Sequence, residues 1–255
     1  MAKLRGGRFE GQADALVEAL GQSVSFDARL APWDIRGSIA HARMLGQCGI
    51  IPRRDAQKIV AGLHQIARDI ADGAFVFDPA LEDVHTNIES ALVKRIGDAG
   101  KRLHTGRSRN DQIALDVRLW LRDQIDAVRA QLRALQRALL DMADAHIGVI
   151  LPGCTHLQHA QPVLLAHHLL AYVEMLERDH ERFSQLHARA NVLPLGSAAL
   201  AGTPYPIDRD MVARELGFPS VSRNSMDAVA DRDHLVEFLA WAALLQIHLS
   251  NLAED

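Results

Sequence analysis

The sequence predicts an all-α protein with a small helical amino-terminal domain, followed by the long helices of a central helical bundle that is truncated. Three long segments repeat apolar residues at intervals of three and four, which is the spacing of one helix face. Alternation of apolar and polar residues, the pattern of a half-buried strand, is nearly absent. Helices of about 30 to 40 residues with this rhythm indicate an elongated antiparallel bundle.

The helical segments follow one another along the chain with turn residues between them. Helices are predicted at about 31–48, 52–71, 108–146, 162–191 and 235–252. Turns are predicted at 98–100, 151–153 and 192–196, where glycine and proline collect. We therefore place the amino-terminal domain at residues 1–107 and the partial bundle at residues 108–255. The last helical pattern continues to Asp255 without a stop signal, so the chain is expected to end within a helix.

Composition excludes several classes of protein. The 255 residues are 48% apolar and 24% charged, as in a packed globular protein, and the net charge of −4 argues against a nucleic-acid partner. The two cysteines, Cys48 and Cys154, have no metal-type spacing, which favours a reducing, cytoplasmic setting and no bound metal. No glycine-rich phosphate loop occurs, so no organic cofactor is expected.

Targeting signals are not expected either. The first nine residues carry charge but no apolar core of a secretory signal. The most apolar stretch, 235–252, contains Glu237 and His248, which argues against a membrane span.

The segment LHTGRSRNDQ at 103–112 is the strongest candidate for a binding site. It combines Arg107, Arg109 and Asn110 with a predicted helix start, and these groups together suit a carboxylate or another anion. The alternative is plain capping, because Ser108 and Asp111 have the spacing of a capping box. Two arginines are more cation than a cap requires, so both interpretations stay open.

Three further groups are candidates with structural alternatives. His156, in PGCTHLQH at 152–159, could exchange a proton near neutral pH, or could merely bond to backbone. His85 lies beside a predicted capping box of Thr86 and Glu89, and capping is the favoured interpretation there. Ser23 could bind a ligand or cap a turn.

Another polar group lies at the start of the last long helix. Asp227, Asp231 and Asp233 suit the positive end of the helix dipole, and Arg232 is the cation among them. From these residues alone, no function follows.

Taken together, these motifs resemble the argininosuccinate lyase family. The matching segments, in order, are GGRF at 6–9, DVH at 83–85, HTGRSRNDQ at 104–112, PGCTHLQHAQP at 152–162 and LPLGS at 193–197. The resemblance spans 4–255, and the TGRSRND run separates this family from fumarases, aspartases and adenylosuccinate lyases. Cys154 departs from the family, where tyrosine or serine is more usual.

The resemblance implies both an activity and an assembly. The activity is the reversible elimination of argininosuccinate to arginine and fumarate, without metal or organic cofactor. The assembly is a homotetramer whose active sites draw residues from three subunits. An alternative is a catalytically inactive, crystallin-like scaffold or interaction module.

The resemblance also implies roles for particular residues. His156 matches the catalytic histidine of the family, and Thr155 beside it has both catalytic and substrate-binding roles. The remaining matches to substrate-binding positions are Ser23, His85, Arg107, Arg109, Asn110 and Arg232. The family's signature loop, with its serine base, does not occur in these 255 residues, so the chain alone is expected to be inactive unless a complementing carboxy-terminal chain supplies that loop.

Overall fold

A computed structural model describes residues 14–255, so the GGRF segment at 6–9 lies outside the described residues. The helices are α1 Ala15–Gly21, α2 Val24–Asp27, α3 Ala31–Gln47, α4 Arg53–Ala71, α5 Val84–Ile96, α6 Asp98–Lys101, α7 Arg109–Ala145, α8 Leu165–Ala190, α9 Arg209–Leu216, α10 Ser225–Ala230 and α11 Asp233–Glu254. Two strands, β1 Ile150–Thr155 and β2 Gln158–Leu164, form an antiparallel hairpin. The predicted all-α class is confirmed, and the three long helices lie where the apolar rhythm placed them.

The turn predicted at 151–153 is wrong, because these residues lie within β1. Pro152 pairs with Pro162 across the hairpin, and an irregularity in register follows at Gly153. A side chain at Gly153 would come within 2.8 Å of the Gln161 carbonyl oxygen, so glycine is needed there for the close approach of the strands.

The start of α5 also differs from its prediction. Asp83, and not Thr86, is the N-cap, and its carboxylate accepts the Thr86 backbone N–H at 2.6 Å. His85 is therefore the second residue of the helix, where it is 2% exposed. By contrast, α7 begins as predicted: the Ser108 hydroxyl accepts the Asn110 N–H, and Asp111 accepts the Ser108 N–H at 2.9 Å.

Two compact units divide the described chain. Unit 1 comprises residues 14–117 and 193–229, and unit 2 comprises residues 118–192 and 230–255. The boundary predicted at 107/108 stays a prediction about the domains of the protein. The compact units divide the chain within α7, and 193–229 belongs to unit 1.

The core of unit 1 forms where α3, α4 and α5 pack closely. A methyl group on Gly46 of α3 would lie 2.6 Å from the Ala56 Cβ of α4, so the two helices approach at a position that only glycine permits. Ile59, Leu63 and Leu92 fill the interior and are fully buried. Burial of each such side chain stabilises the fold by about 1.5–3 kcal/mol.

Unit 2 is a helical core built from α8, α11 and residues 118–145 of α7. Leu121, Ile125, Leu176, Phe183 and Leu186 are buried in it, and α11 contributes partly buried residues. The partly buried residues of α11 are Leu235, Phe238, Trp241, Leu245, Leu249 and Leu252.

The opposite face of α11 is also apolar and lies exposed, with Val236, Leu239 and Ile247 56–67% accessible. By length and a mean hydropathy of 1.3, α11 could cross a membrane. One such helix is weak evidence for a membrane span, because core helices of helical bundles have the same composition.

Candidate functional site

A buried polar stripe runs along α3. Asp34, Ser38 and His41 follow one another at helical spacing, and each is 1% exposed. Burial of polar groups is costly unless they form hydrogen bonds. The stripe therefore requires polar partners from other elements of unit 1.

Arg107 supplies one of these partners. Its guanidinium donates to the Ser38 hydroxyl at 2.9 Å and to Glu89 Oε1 at 3.2 Å. The Arg107 side chain is 1% exposed, so its charge is matched inside unit 1 by Glu89. The structure thus places this predicted substrate-binding arginine beneath the surface, and its role toward substrate stays a prediction.

The Glu89 carboxylate contacts several basic side chains. Its carboxylate also accepts from His104 Nδ1 at 2.9 Å. Burial alone would raise the pKa of Glu89, but the His104 hydrogen bond and the charges of Arg107 and Arg109 outweigh it and lower the pKa to about 2. Glu89 is therefore ionised throughout the physiological pH range.

His41 is buried beside the same arginine. Its Nε2 lies 2.9 Å from the Thr105 carbonyl oxygen. Burial, together with the positive charge of Arg107, lowers the pKa of His41 to about 3. This histidine is neutral near pH 7 and acts as a structural donor to the HTGR segment.

Arg109 and Asn110 lie nearer the surface, in the first turn of α7. The Arg109 side chain is 23% exposed; it donates to Gln112 Oε1 at 2.6 Å and lies 3.5 Å from an Asp83 carboxylate oxygen. Asn110 is exposed, and its Nδ2 donates to the Ala199 carbonyl oxygen at 3.0 Å. The Arg109 guanidinium and the Asn110 amide are therefore carried by consecutive residues at the positive end of α7.

Asp111 anchors the loop that borders this point. Its buried carboxylate accepts the backbone N–H groups of Gly196 at 3.0 Å and Ala198 at 2.7 Å, besides that of Ser108. The LPLGS segment at 193–197 is thereby fixed against the start of α7. Two motifs that lie about 85 residues apart in the sequence are joined by one side chain.

Ser23 lies beside the start of α5. Its backbone N–H donates to the Glu82 carbonyl oxygen at 2.8 Å, and its hydroxyl donates to Asp27 Oδ2 at 2.6 Å. The other oxygen of Asp27 accepts the Val84 N–H at 3.1 Å. Ser23 is thus connected to the segment that carries His85.

His85 faces two buried carboxyl groups. Its Nδ1 lies 3.1 Å from Asp34 Oδ1 and 3.4 Å from Asp116 Oδ2. Gln112 Nε2 donates to the same Asp34 oxygen at 2.5 Å. Such a trio of His and Asp side chains can hold a divalent metal, and its ligand atoms all lie within 4.8 Å of one another.

Thr155 and His156 lie in unit 2, at the tip of the hairpin. Thr155 pairs with Gln158, and between them His156 and Leu157 adopt positive φ angles of 52° and 58°. Such backbone costs energy for residues other than glycine and is found at functional sites. Thr155 and His156 are exposed.

Arg232 is the N-cap residue of α11 in unit 2. Its guanidinium donates to the Asp231 carbonyl oxygen at 2.8 Å. The Asp231 carboxylate bonds to Arg118 and lies 3.2 Å from His234 Nδ1. This carboxylate therefore joins α7 to the start of α11 inside unit 2.

The predicted site residues thus fall into two groups. Ser23, His85, Arg107, Arg109 and Asn110 lie around the starts of α2, α5 and α7 in unit 1. The others, Thr155, His156 and Arg232, lie in unit 2.

Sequence reasoning missed the polar residues that organise the first group, namely Asp34, Ser38 and Asp116. For Asp34 and Ser38 the signal is their spacing with His41, which places three polar residues on one face of α3.

Comparison with known proteins identifies relatives along the whole chain. A family model described as lyase matches residues 7–255. The argininosuccinate lyase of Pelobacter propionicus is 57% identical over 253 residues, which are 99% of this chain and 55% of that protein. That of Pelotomaculum thermopropionicum is 54% identical over 255 residues and is covered to 55%. The chain thus spans about half the length of these curated relatives.

Solved structures agree with the fold. An EDDS lyase in complex with formate superposes with a TM-score of 0.82 at 31% identity, covering 96% of this chain and 49% of that one. A fumarate lyase:delta crystallin from Brucella melitensis, bound to cobalt, has a TM-score of 0.78 at 22% identity, with coverage of 94% and 58%. At that identity, the second likeness concerns the fold alone.

Proposed function

Since this chain belongs to the lyase family, and its curated relatives at 54–57% identity are argininosuccinate lyases, we propose that it is part of an argininosuccinate lyase. The reaction is the reversible elimination of argininosuccinate to arginine and fumarate, a step of arginine biosynthesis. Because the chain spans about 55% of its relatives, the activity is proposed for the chain together with the region that completes them.

The observation that carries the proposal is the placement of Arg109, 23% exposed, and the exposed Asn110 side by side in the first turn of α7. Argininosuccinate has three carboxylates, and a guanidinium, an amide and a helix N-terminus together suit one of them. Asp83 and Glu89 hold Arg109 in the free protein, so its orientation is set before substrate arrives. Preorganised donors of this kind stabilise negative charge that develops on a carboxylate during elimination.

Further roles are proposed by resemblance to the family. Thr155 and His156 act at the reacting carbon, with His156 as acid or base or as a group that polarises another. Ser23, His85, Arg107 and Arg232 complete the binding of substrate. The positive φ of His156 supports this role, because such backbone persists where the surrounding structure requires it.

We also propose a cytoplasmic homotetramer without metal or organic cofactor. The exposed apolar face of α11, with Val236 and Leu239, supports burial against further helices in the whole assembly. Sedimentation of the completed enzyme measures the assembly directly, and a stable monomer would contradict this part.

Fumarate release from argininosuccinate, followed by ultraviolet absorbance, tests the function. The chain is assayed alone and mixed with a polypeptide comprising the remaining part of the Pelobacter propionicus enzyme. We expect activity only in the mixture. Activity of the chain alone would contradict the need for the completing region.

Two variants with matched controls test the residues. His156→Asn removes the imidazole, and asparagine tolerates the positive φ at this position, so the turn is kept. We expect the rate to fall by about 10²- to 10⁴-fold, while His64→Asn, at an exposed position of α4, leaves it unchanged. Arg109→Gln should weaken substrate binding, whereas Arg54→Gln on the exposed surface should not.

If the complemented wild-type mixture releases no fumarate although both polypeptides are folded, the inactive scaffold is favoured instead.

A further inference from the structure

Two carboxyl groups share one buried space beside His85. Asp34 and Asp116 are each 1% exposed, and His85 is 2% exposed. Asp116 lies over Gly37 of α3, where a methyl group would come within 3.6 Å of Asp116 Oδ1. The pair therefore has little access to solvent. Ligand atoms of the two carboxylates lie within 4.8 Å of each other, so two negative charges there would repel each other strongly.

The hydrogen-bond donors around the pair are distributed unequally. Asp34 Oδ1 receives the Gln112 amide at 2.5 Å and His85 Nδ1 at 3.1 Å. Within residues 14–255, neither oxygen of Asp116 accepts a hydrogen bond, although His85 Nδ1 lies 3.4 Å away. Asp34 is thus stabilised as a carboxylate by hydrogen bonds, whereas Asp116 has no hydrogen-bond donor among the described residues.

The pKa values follow the same asymmetry. Burial would raise the pKa of Asp34, but the hydrogen bond with His85 and the charge of Arg107 hold it below its usual value. Burial and the nearby Asp34 charge raise the pKa of Asp116 well above its usual value, despite the opposing charges of Arg107 and Arg109.

A divalent cation fits this space less well than a proton. Asp34 Oδ1 already accepts the Gln112 amide at 2.5 Å and lies 3.1 Å from His85 Nδ1, so little room remains for a metal at this oxygen. The guanidinium of Arg107, which lowers the pKa of Asp34 through its charge, would repel a cation. As a carboxylic acid, Asp116 can donate its proton to Asp34, and this single hydrogen bond removes the repulsion and gives one of the two unpartnered oxygens a partner.

We propose that Asp34 and Asp116 share one proton and together hold His85 in the tautomer that is protonated on Nδ1. Asp116 donates to Asp34, Asp34 accepts from His85 Nδ1, and Nε2 of His85 is the nitrogen left to accept a hydrogen bond. Asp34 and Asp116 are positioning residues that act through His85. The value of this arrangement for catalysis rests on the proposed function, but the tautomer and the shared proton do not.

Two spectroscopic measurements on the folded 255-residue chain at pH 7 test the proposal. The infrared spectrum should contain the C=O stretch of one buried carboxylic acid, which Asp116→Asn removes. Asp126→Asn, the same substitution at an exposed position of α7, should leave this band unchanged. Long-range ¹H–¹⁵N correlation, with the signal identified through His85→Gln, should show a proton on Nδ1 of His85.

Other results would overturn the inference. These are a spectrum without the acid band, a His85 ring protonated only on Nε2, or stoichiometric binding of Mn²⁺ or Zn²⁺ that Asp116→Asn abolishes. If Asp116 had a purely structural role, the Nδ1 proton signal of His85 would not depend on Asp116. Should the complemented enzyme release no fumarate while both signals are present, the proposed function fails and this inference stands.

Discussion

Asp111 offers the sharpest test of how the site is held together, through the variant Asp111→Asn. One carboxylate oxygen accepts the N–H groups of Gly196 and Ala198, and the other accepts that of Ser108. Asparagine retains one acceptor oxygen for Ser108 but presents an NH₂ group to the other two donors. A hydrogen bond to a charged group contributes about 1.5–3 kcal/mol, so losing two should cost at least roughly 3 kcal/mol.

Two measurements read this loss. The urea midpoint of unit 1 should fall with an unchanged m-value, because the surface exposed on unfolding is the same. Amide exchange at Gly196 and Ala198 should accelerate by roughly 100-fold, since every 1.4 kcal/mol is a factor of ten. Asp98→Asn, at an exposed helix start, serves as the matched control and should change stability by about 0.5 kcal/mol or less. A loss below about 1 kcal/mol for Asp111→Asn would refute the view that this carboxylate anchors the loop.

Three further predictions concern other contacts. The pKa of Glu89 falls from its ordinary 4.5 to about 2 on folding. The contribution of ionised Glu89 to the free energy of unfolding is therefore complete above pH 4.5 and is lost as the pH falls toward 2. The loss should reach roughly 3 kcal/mol in urea titrations, and a Glu89→Gln variant with the same slope would contradict the assignment. Gly37→Ala would place a methyl group 2.8 Å from Leu115 Cδ2 and should cost about 1–3 kcal/mol in thermal unfolding; unchanged stability would show that Leu115 moves aside freely. Asp179→Asn removes the buried carboxylate that bonds to His248 Nδ1 at 2.7 Å, so amide exchange along α11 should accelerate, and unaltered exchange would argue against this α8–α11 link.

The long helices were predictable because their signal is local. The apolar residues of α7, α8 and α11 repeat over many turns, and packing in unit 2 uses that same face. Helix starts were harder to predict. Asp83 and Thr86 are both good capping residues three positions apart, and in the structure Asp83 accepts the Thr86 N–H while Asp27 accepts the Val84 N–H.

The hairpin could not be read from the sequence. Most residues of β1 and β2 are exposed, so burial imposes no apolar alternation on either strand. The turn between them uses His156 and Leu157 at positive φ, where the sequence rule expects asparagine and glycine.

The buried half of the candidate site was also hidden in the sequence. Arg107 looked like a surface cation within an anion-binding motif, yet its partners Ser38 and Glu89 come from α3 and α5. Contacts between helices this far apart in sequence depend on tertiary packing. The motif revealed where chemistry is concentrated, but not which of its charges is available to a ligand.

The discontinuous make-up of unit 1 has a consequence for biosynthesis. Residue 117 leaves the ribosome well before 193–229, which the unit needs for completion. At about 5–20 residues per second, the 112 residues between 117 and 229 (229 − 117) take roughly 6–22 s to make. Until residues 196–198 are made, the Asp111 carboxylate lacks the hydrogen bonds from the Gly196 and Ala198 amides. The nascent chain therefore passes through a stage in which the N-terminal anchor of α7 is incomplete.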